Sequence, residues 1–245
     1  MSSASQQPGN AAAEGSEIAM KNVLLAVLLA VMALLPGRAA VGQAPASSPQ
    51  DQPSLNDQLL DATHNGNAAA VELLLAKGVS IDARGKDGLT ALMVAAAFGK
   101  PDLVELLLKK GASVNLQDNR GDTALNYAVM ASNIGEAKLL LDKGANLEIQ
   151  EEGGLTPLML SIVSGSAELV KLLLDHGANT EARDKNGFTA LMGASGGGMM
   201  DAMKLLLDKG ASINAKSSDG TTALKLAESN GKNEAASLLR EKGAQ

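Results

Sequence analysis

The chain has 245 residues, 45% of them hydrophobic, yet it contains no Trp, one Tyr and two Phe, so any core must be packed in thin layers from Leu, Ala, Val, Ile and Met. It has no Cys, which excludes disulfides, thiolate nucleophiles, Zn–Cys sites and lipid attachment through Cys. A formal net charge of −6 argues against a nucleic-acid partner, whose affinity comes largely from Lys and Arg neutralising phosphates.

The first element in chain order is an address. Val23 to Leu35 is an unbroken apolar run of thirteen residues, preceded by Lys21 and stopped by Pro36-Gly37. A membrane span needs about 20 apolar residues, so the run fits the h-region of a secretory signal peptide. Residues 1–22 read as a leader and n-region, with Met1 and Met20 both possible starts. Residues 23–46 read as the h- and c-region, with small-x-small cleavage sites at Ala40-Val41-Gly42 and Ala44-Pro45-Ala46. The expected location is periplasmic or secreted, with no stable membrane span once the signal is cleaved; an uncleaved inner-membrane anchor is the alternative. Residues 47–53 carry Pro49 and Pro53 among Ser and Gln and read as a flexible linker.

Residues 54–245 are one motif repeated. Threonines stand at 90, 123, 156, 189 and 222, glycines at 88, 121, 154, 187 and 220, and a second glycine series at 78, 111, 144, 177, 210 and 243. Leucine triplets fall in the same register, and four coincident series at a period of 33 mean a repeat architecture. Six units follow, at 54–85, 86–118, 119–151, 152–184, 185–217 and 218–245. In the second unit, Thr90 caps a short Ala-rich helix over Ala91–Phe98, and Gly99 breaks it. Pro101 suits the first turn of a second helix, Asp102–Lys110, with Val104, Leu107 and Leu108 inward. Gly111 supplies its left-handed cap. Asp61 and Arg240 replace apolar residues of the middle units, so the first and last units read as polar caps that start and stop the array.

Gly154-Leu155-Thr156-Pro157-Leu158 and Leu172-Leu173-Leu174-Asp175-His176-Gly177-Ala178-Asn179 resemble the signatures of the ankyrin repeat family, and the other units read Thr-Ala-Leu. The resemblance implies an all-α fold, an α-solenoid of six helix-turn-helix units with projecting β-hairpin-like loops. One departure is clear. The family's loop-linking His after Thr-Pro-Leu is replaced by Met93, Asn126, Met159, Met192 and Lys225, and only Asn126 is polar in the way that link needs, so looser loops are expected.

No catalytic set can be assembled. His64 and His176 are the two histidines, neither has a partner at metal-ligand spacing, and both are expected to be structural. The run Gly193 to Gly198 lacks the Lys-Ser/Thr of a phosphate loop and falls where a first helix is due. No metal and no cofactor are expected, and the chain is expected to be a monomer and not an enzyme. What remains is a protein–protein interaction scaffold. The alternatives are an accessory or regulatory subunit protecting or controlling an exported enzyme, and a host-directed ankyrin effector. The signal style and the Thr-Ala-Leu-Met units point to a prokaryotic source.

In ankyrin-type folds, partners are read by the loops and by the exposed ends of the first helices. By that resemblance the candidate positions are Arg84, Lys86, Asp87 and Leu89 in one loop and Gln117, Asn119, Arg120 and Asp122 in the next. Glu152 and Leu155 follow, then Arg183, Lys185, Asn186 and Phe188, while Phe98 and Met130 lie at helix ends. Both phenylalanines of the chain fall in this set, and aromatic and Arg side chains are frequent binding hot spots. The three arginines point to an acidic patch on the partner.

Overall fold

The computed structural model describes residues 53–245; the signal-peptide reading and nearly all of the linker lie outside the described residues. The described residues form twelve α-helices and no strand, and they divide into two compact units between Glu152 and Gly153.

The first unit holds α1 (Leu55–His64) and α2 (Ala68–Ala76), α3 (Ala91–Ala97) and α4 (Pro101–Lys109), and α5 (Ala124–Met130) and α6 (Ile134–Asp142). Each helix packs on its pair-mate. The inner helices α1, α3 and α5 stack in order, and α4 packs on α6. The second unit repeats the plan with α7 (Pro157–Val163) and α8 (Ala167–Asp175), α9 (Ala190–Gly197) and α10 (Met200–Asp208), and α11 (Ala223–Ser229) and α12 (Asn233–Glu241). There α7, α9 and α11 stack inside, while α8, α10 and α12 stack outside.

Local chemistry sets the helix starts. Thr90, Thr123, Thr156, Thr189 and Thr222 each accept the backbone N–H three residues on through Oγ1, at 3.3–3.4 Å. Each such cap satisfies one of the orphan donors of a helix start, worth about 1 kcal/mol. Burial then separates the two helix types. The inner helices are surrounded: Ala91 to Ala96 of α3 and Pro157 to Ile162 of α7 are buried without a break. The outer helices bury one stripe, with Leu103, Val104 and Leu107 of α4 inside. Leu108, expected inward, is only half-buried, although its counterparts Leu141 and Leu174 are buried; the middle leucine of the triplet is the one buried throughout. Leu107, Leu140, Leu173, Leu206 and Leu239 are all fully buried.

Glycine is required where consecutive loops nearly touch. A Cβ at Gly154 would lie 2.8 Å from the Lys185 nitrogen, and one at Gly187 would lie 2.8 Å from that of Ser218. Both also have φ near +80°, a region L side chains enter only at a cost. The Gly-x-Thr signature therefore encodes the approach of the next loop as well as a turn.

The run Gly193-Ala194-Ser195-Gly196-Gly197 is helical in α9, which extends one residue further than the other seven-residue inner helices of its unit. Its glycines admit neighbours closely: a Cβ at Gly193 would stand 3.3 Å from Ile162 Cγ2, and one at Gly196 would stand 3.3 Å from Asn230 Nδ2. That packing offsets only part of the cost of interior glycine, roughly 0.5–1 kcal/mol each. Amides of residues 190–203 are expected to exchange earlier than those of α3 to α6. Equal protection factors in a native-state exchange series would overturn that expectation.

Candidate partner-binding surface

The loops are built on one polar residue at their base. Asp118 accepts the backbone N–H groups of Arg120 and Asp122 through Oδ1, at 2.9 and 2.8 Å. Asp184 does the same for Asn186 and Phe188, at 2.9 and 2.8 Å, and Ser217 Oγ accepts from Thr221 at 3.0 Å. The main chain closes each loop into a hairpin-like turn, the Asp118 N–H donating to Asp122 O and the Asp184 N–H to Phe188 O, both at 3.0 Å. Neighbouring tips are then chained by single backbone bonds. Asn119 donates to Asp87 O at 2.9 Å and Glu152 to Arg120 O at 2.7 Å; in the second unit Lys185 donates to Gly153 O at 3.4 Å and Ser218 to Asn186 O at 2.9 Å. Asp118 and Asp184 were not among the positions expected to matter. The Asp-x-x-Gly spacing ahead of Thr123 and Thr189 is the signal that marks them.

Two of the three arginines, although exposed, also tie the loops together. Arg84 donates from Nη1 to Gly88 O at 3.2 Å in its own loop and to Gln117 O at 2.7 Å in the next. Arg183 donates to Gly187 O at 2.9 Å and to Lys216 O at 2.6 Å. These guanidinium groups tie one loop to the following one, the task the absent histidines would have performed, so the expectation of loose loops is corrected there. Asn126 turns inward instead, its Nδ2 donating to Asp122 Oδ1 at 3.4 Å. Met93 Sδ accepts the Thr90 N–H at 3.4 Å.

Leu89 and Asp122 are corrections too. Both were expected on an open loop edge, and both are buried, at 8% and 4% exposure. They immediately precede the capping threonines Thr90 and Thr123, where the chain turns down into the helix stack. Phe98 is half-buried rather than free, its ring meeting His64 edge-on at a centroid distance of 4.2 Å. Phe188, Met130 and Leu155 are also half-buried. Lys86, Asp87, Gln117, Asn119, Glu152, Lys185 and Asn186 are exposed as expected.

The electrostatics concentrate around Asp118. Tyr127 Oη donates to Asp118 Oδ2 at 2.7 Å, and Arg120 Nη2 donates to Tyr127 Oη at 2.9 Å. Arg120 also lies 3.5 Å from Asp122 Oδ2 and 3.9 Å from Asp118 Oδ2. Burial, and then the neighbouring Asp118 charge, push the Asp122 carboxyl up to about 7. Burial and the hydrogen bond to Asp118 raise the Tyr127 phenol, so it stays protonated and donates.

Beside this network, within the first unit, opens a cavity of about 340 Å3. Leu60, Leu89, Met93, Val94 and Ala97 provide its apolar wall, and Asp57, Asp61 and Asp87 supply carboxylates. Lys86, Asn119, Arg120, Tyr127 and the Asp118 carboxylate that both of the last two contact complete the lining. Four of the expected partner-binding loop residues that stay at least partly exposed (Lys86, Asp87, Asn119 and Arg120) are thus brought together on one concavity.

The described residues contain no group of three or more His, Asp or Glu placed to hold a metal. None of their helices is long and apolar enough to cross a membrane. His176 lies 2.8 Å from Leu172 O through Nδ1 at the end of α8, as a C-terminal capping group should.

Comparison with known proteins agrees with this architecture. A family model described as "Ankyrin repeats (3 copies)" matches in overlapping copies at residues 59–151, 110–184, 137–217 and 159–245. Among solved structures, a chain of the Bd0816 predatory endopeptidase from Bdellovibrio bacteriovorus in complex with immunity protein Bd3460 is similar, with a TM-score of 0.70 and 30% identity. That match covers 76% of this chain and 97% of the other. No curated protein matches the sequence. With the repeat fold present and its family model matched through residue 245, the chain belongs to the ankyrin repeat family.

Proposed function

We propose that the chain is a non-catalytic binding protein of the periplasm or extracellular space, and that its partner is an exported peptidase which it restrains. Binding another protein is the use to which rigid, chained loops on stacked helices are suited. The choice of a peptidase is supported by the similarity to a chain of an endopeptidase–immunity protein complex, at 30% identity and across 97% of that chain. The exported compartment is supported by the apolar run after Lys21 and the small residues that follow it. A monomer binding through one face would suffice for such a role.

Two measurements test this. Adding the purified chain to the exported protein fraction of its own host is expected to lower casein-hydrolysing activity and to retain a peptidase in equimolar complex. Unchanged hydrolysis with no retained peptidase would remove the peptidase from the reading. N-terminal sequencing of the protein recovered from that host is expected to start after Gly42 or Ala46. A chain that keeps Met1 or Met20 and sediments with membranes would mean an anchored protein instead.

A further inference from the structure

We propose that the cavity of the first unit seats an arginine carried on an exposed loop of the partner protein. The inference rests on the protein-binding reading above and adds the chemistry of recognition to it.

The cavity arises from a deficit of side-chain volume. At one register of the 33-residue period, the third unit places the large Tyr127, the second the smaller Val94 and the first Asp61. All three line the concavity, so the space that Tyr127 takes up at its own level is left open toward α1. An end unit needs a polar outer face, but Asp61 also lines a partly open hollow about 340 Å3 in volume. That volume lies in the range that holds ligand groups, and it exceeds what one side chain fills, so residues flanking the arginine would enter as well.

The wall sets the chemistry. Leu60, Met93, Val94 and Ala97 give an apolar surface for a long methylene stem, while the carboxylates not engaged by Tyr127 and Arg120, as Asp118 is, come from two separate elements, α1 (Asp57 and Asp61) and the loop before α3 (Asp87). Against them stands Lys86. The other cation, Arg120, is already engaged by Tyr127, Asp122 and Asp118. Asp57 accepts a hydrogen bond from Ser54 Oγ at 2.7 Å. Asp61 and Asp87 have no side-chain hydrogen bond or ion pair among the described residues. The complementary ligand is therefore a cation on an apolar stem. A guanidinium can present several donors in fixed directions to carboxylates on different elements, which an ammonium matches less well.

The test is a two-dimensional NMR titration of the full chain with N-acetyl-arginine amide, with the lysine and citrulline amides as comparisons. Shifts are expected at the amides of Leu60, Asp87 and Ala97 with arginine, smaller ones with lysine, and none with neutral citrulline. In the variant Asp61→Asn/Asp87→Asn the arginine affinity should fall by about tenfold. Both positions are exposed, and asparagine tolerates the left-handed φ of +66° at residue 87, so the variant should fold. Equal shifts with citrulline, shifts only elsewhere, or an unaltered titration of the double variant would overturn the proposal. Peptidase capture separates the two readings. If the double variant binds the peptidase as tightly as the wild type, the arginine seat is wrong while protein binding stands. If no peptidase is bound but the arginine response and its loss in the variant are seen, the seat stands without that partner.

Discussion

Asp118→Ala is expected to destabilise the first unit by about 3–5 kcal/mol, the range for removing one partner of a buried, hydrogen-bonded charge. The carboxylate accepts the N–H groups of Arg120 and Asp122 and the hydroxyl of Tyr127. Its loss strands two backbone donors and a phenol in a largely buried place, and it leaves Arg120 with only Asp122 to offset its charge. Asp184→Ala is the informative control. Asp184 makes the same two backbone contacts, to Asn186 and Phe188, with no Tyr–Arg pair attached, so about 1–2 kcal/mol is expected. Urea denaturation followed by circular dichroism, with amide exchange to localise the loss, measures both. Equal costs at the two sites would mean that the Tyr127–Arg120 extension contributes nothing.

Stability is expected to fall as pH rises from about 4 to about 7, and Asp122 is the cause. Its carboxyl is raised from an ordinary 3.8 to about 7 in the folded chain, by burial first and by Asp118 second. A raised carboxyl pKa means that the folded state holds a proton the unfolded state has already released. That stabilising contribution is fully present below pH 4 and is lost as pH climbs through 7. With three pH units of separation the loss is on the order of 2–4 kcal/mol. Asp175, held down to about 2 by hydrogen bonds first from Lys171 and then from Lys209, works in the opposite sense. Its contribution is present above pH 4 and disappears as the pH falls through 2, so the two windows do not overlap. Asp122→Asn should abolish the slope between pH 4 and 7 and raise the melting temperature at pH 8, where the wild type carries two neighbouring buried carboxylates. A variant with an unchanged slope would show that Asp122 titrates normally and that Arg120 compensates it fully.

Several features were legible because their causes are local. A threonine caps the helix that begins on the next residue, a glycine ends the helix it follows, and the middle leucine of a triplet points inward through the 3.6-residue turn. Such effects act over a few residues, so a 33-residue period in Gly, Thr and Leu carries them without any knowledge of neighbours. The repeat number, the helix pairs and the positions of the loops follow from it, with helix ends displaced by a residue at Phe98 and Pro101.

The loop residues were not legible in the same way, because their roles depend on what the next unit brings. Arg84 reads from sequence as a solvated cation, and it becomes a tie only because Gln117 O arrives 2.7 Å away. Leu89 and Asp122 sit beside exposed neighbours in sequence, and burial was decided by the direction in which the chain descends into the stack. Asp61 read as an end cap until Val94 and Tyr127 placed a hollow in front of it. The sequence by itself determined the family, the repeat unit and the helix caps, since each depends on hydrogen bonds and side-chain directions within a few residues. Only the tertiary structure decided which loop side chains hold the loops together and which line the cavity, since contacts between residues about 33 positions apart depend on how each unit lies against the next.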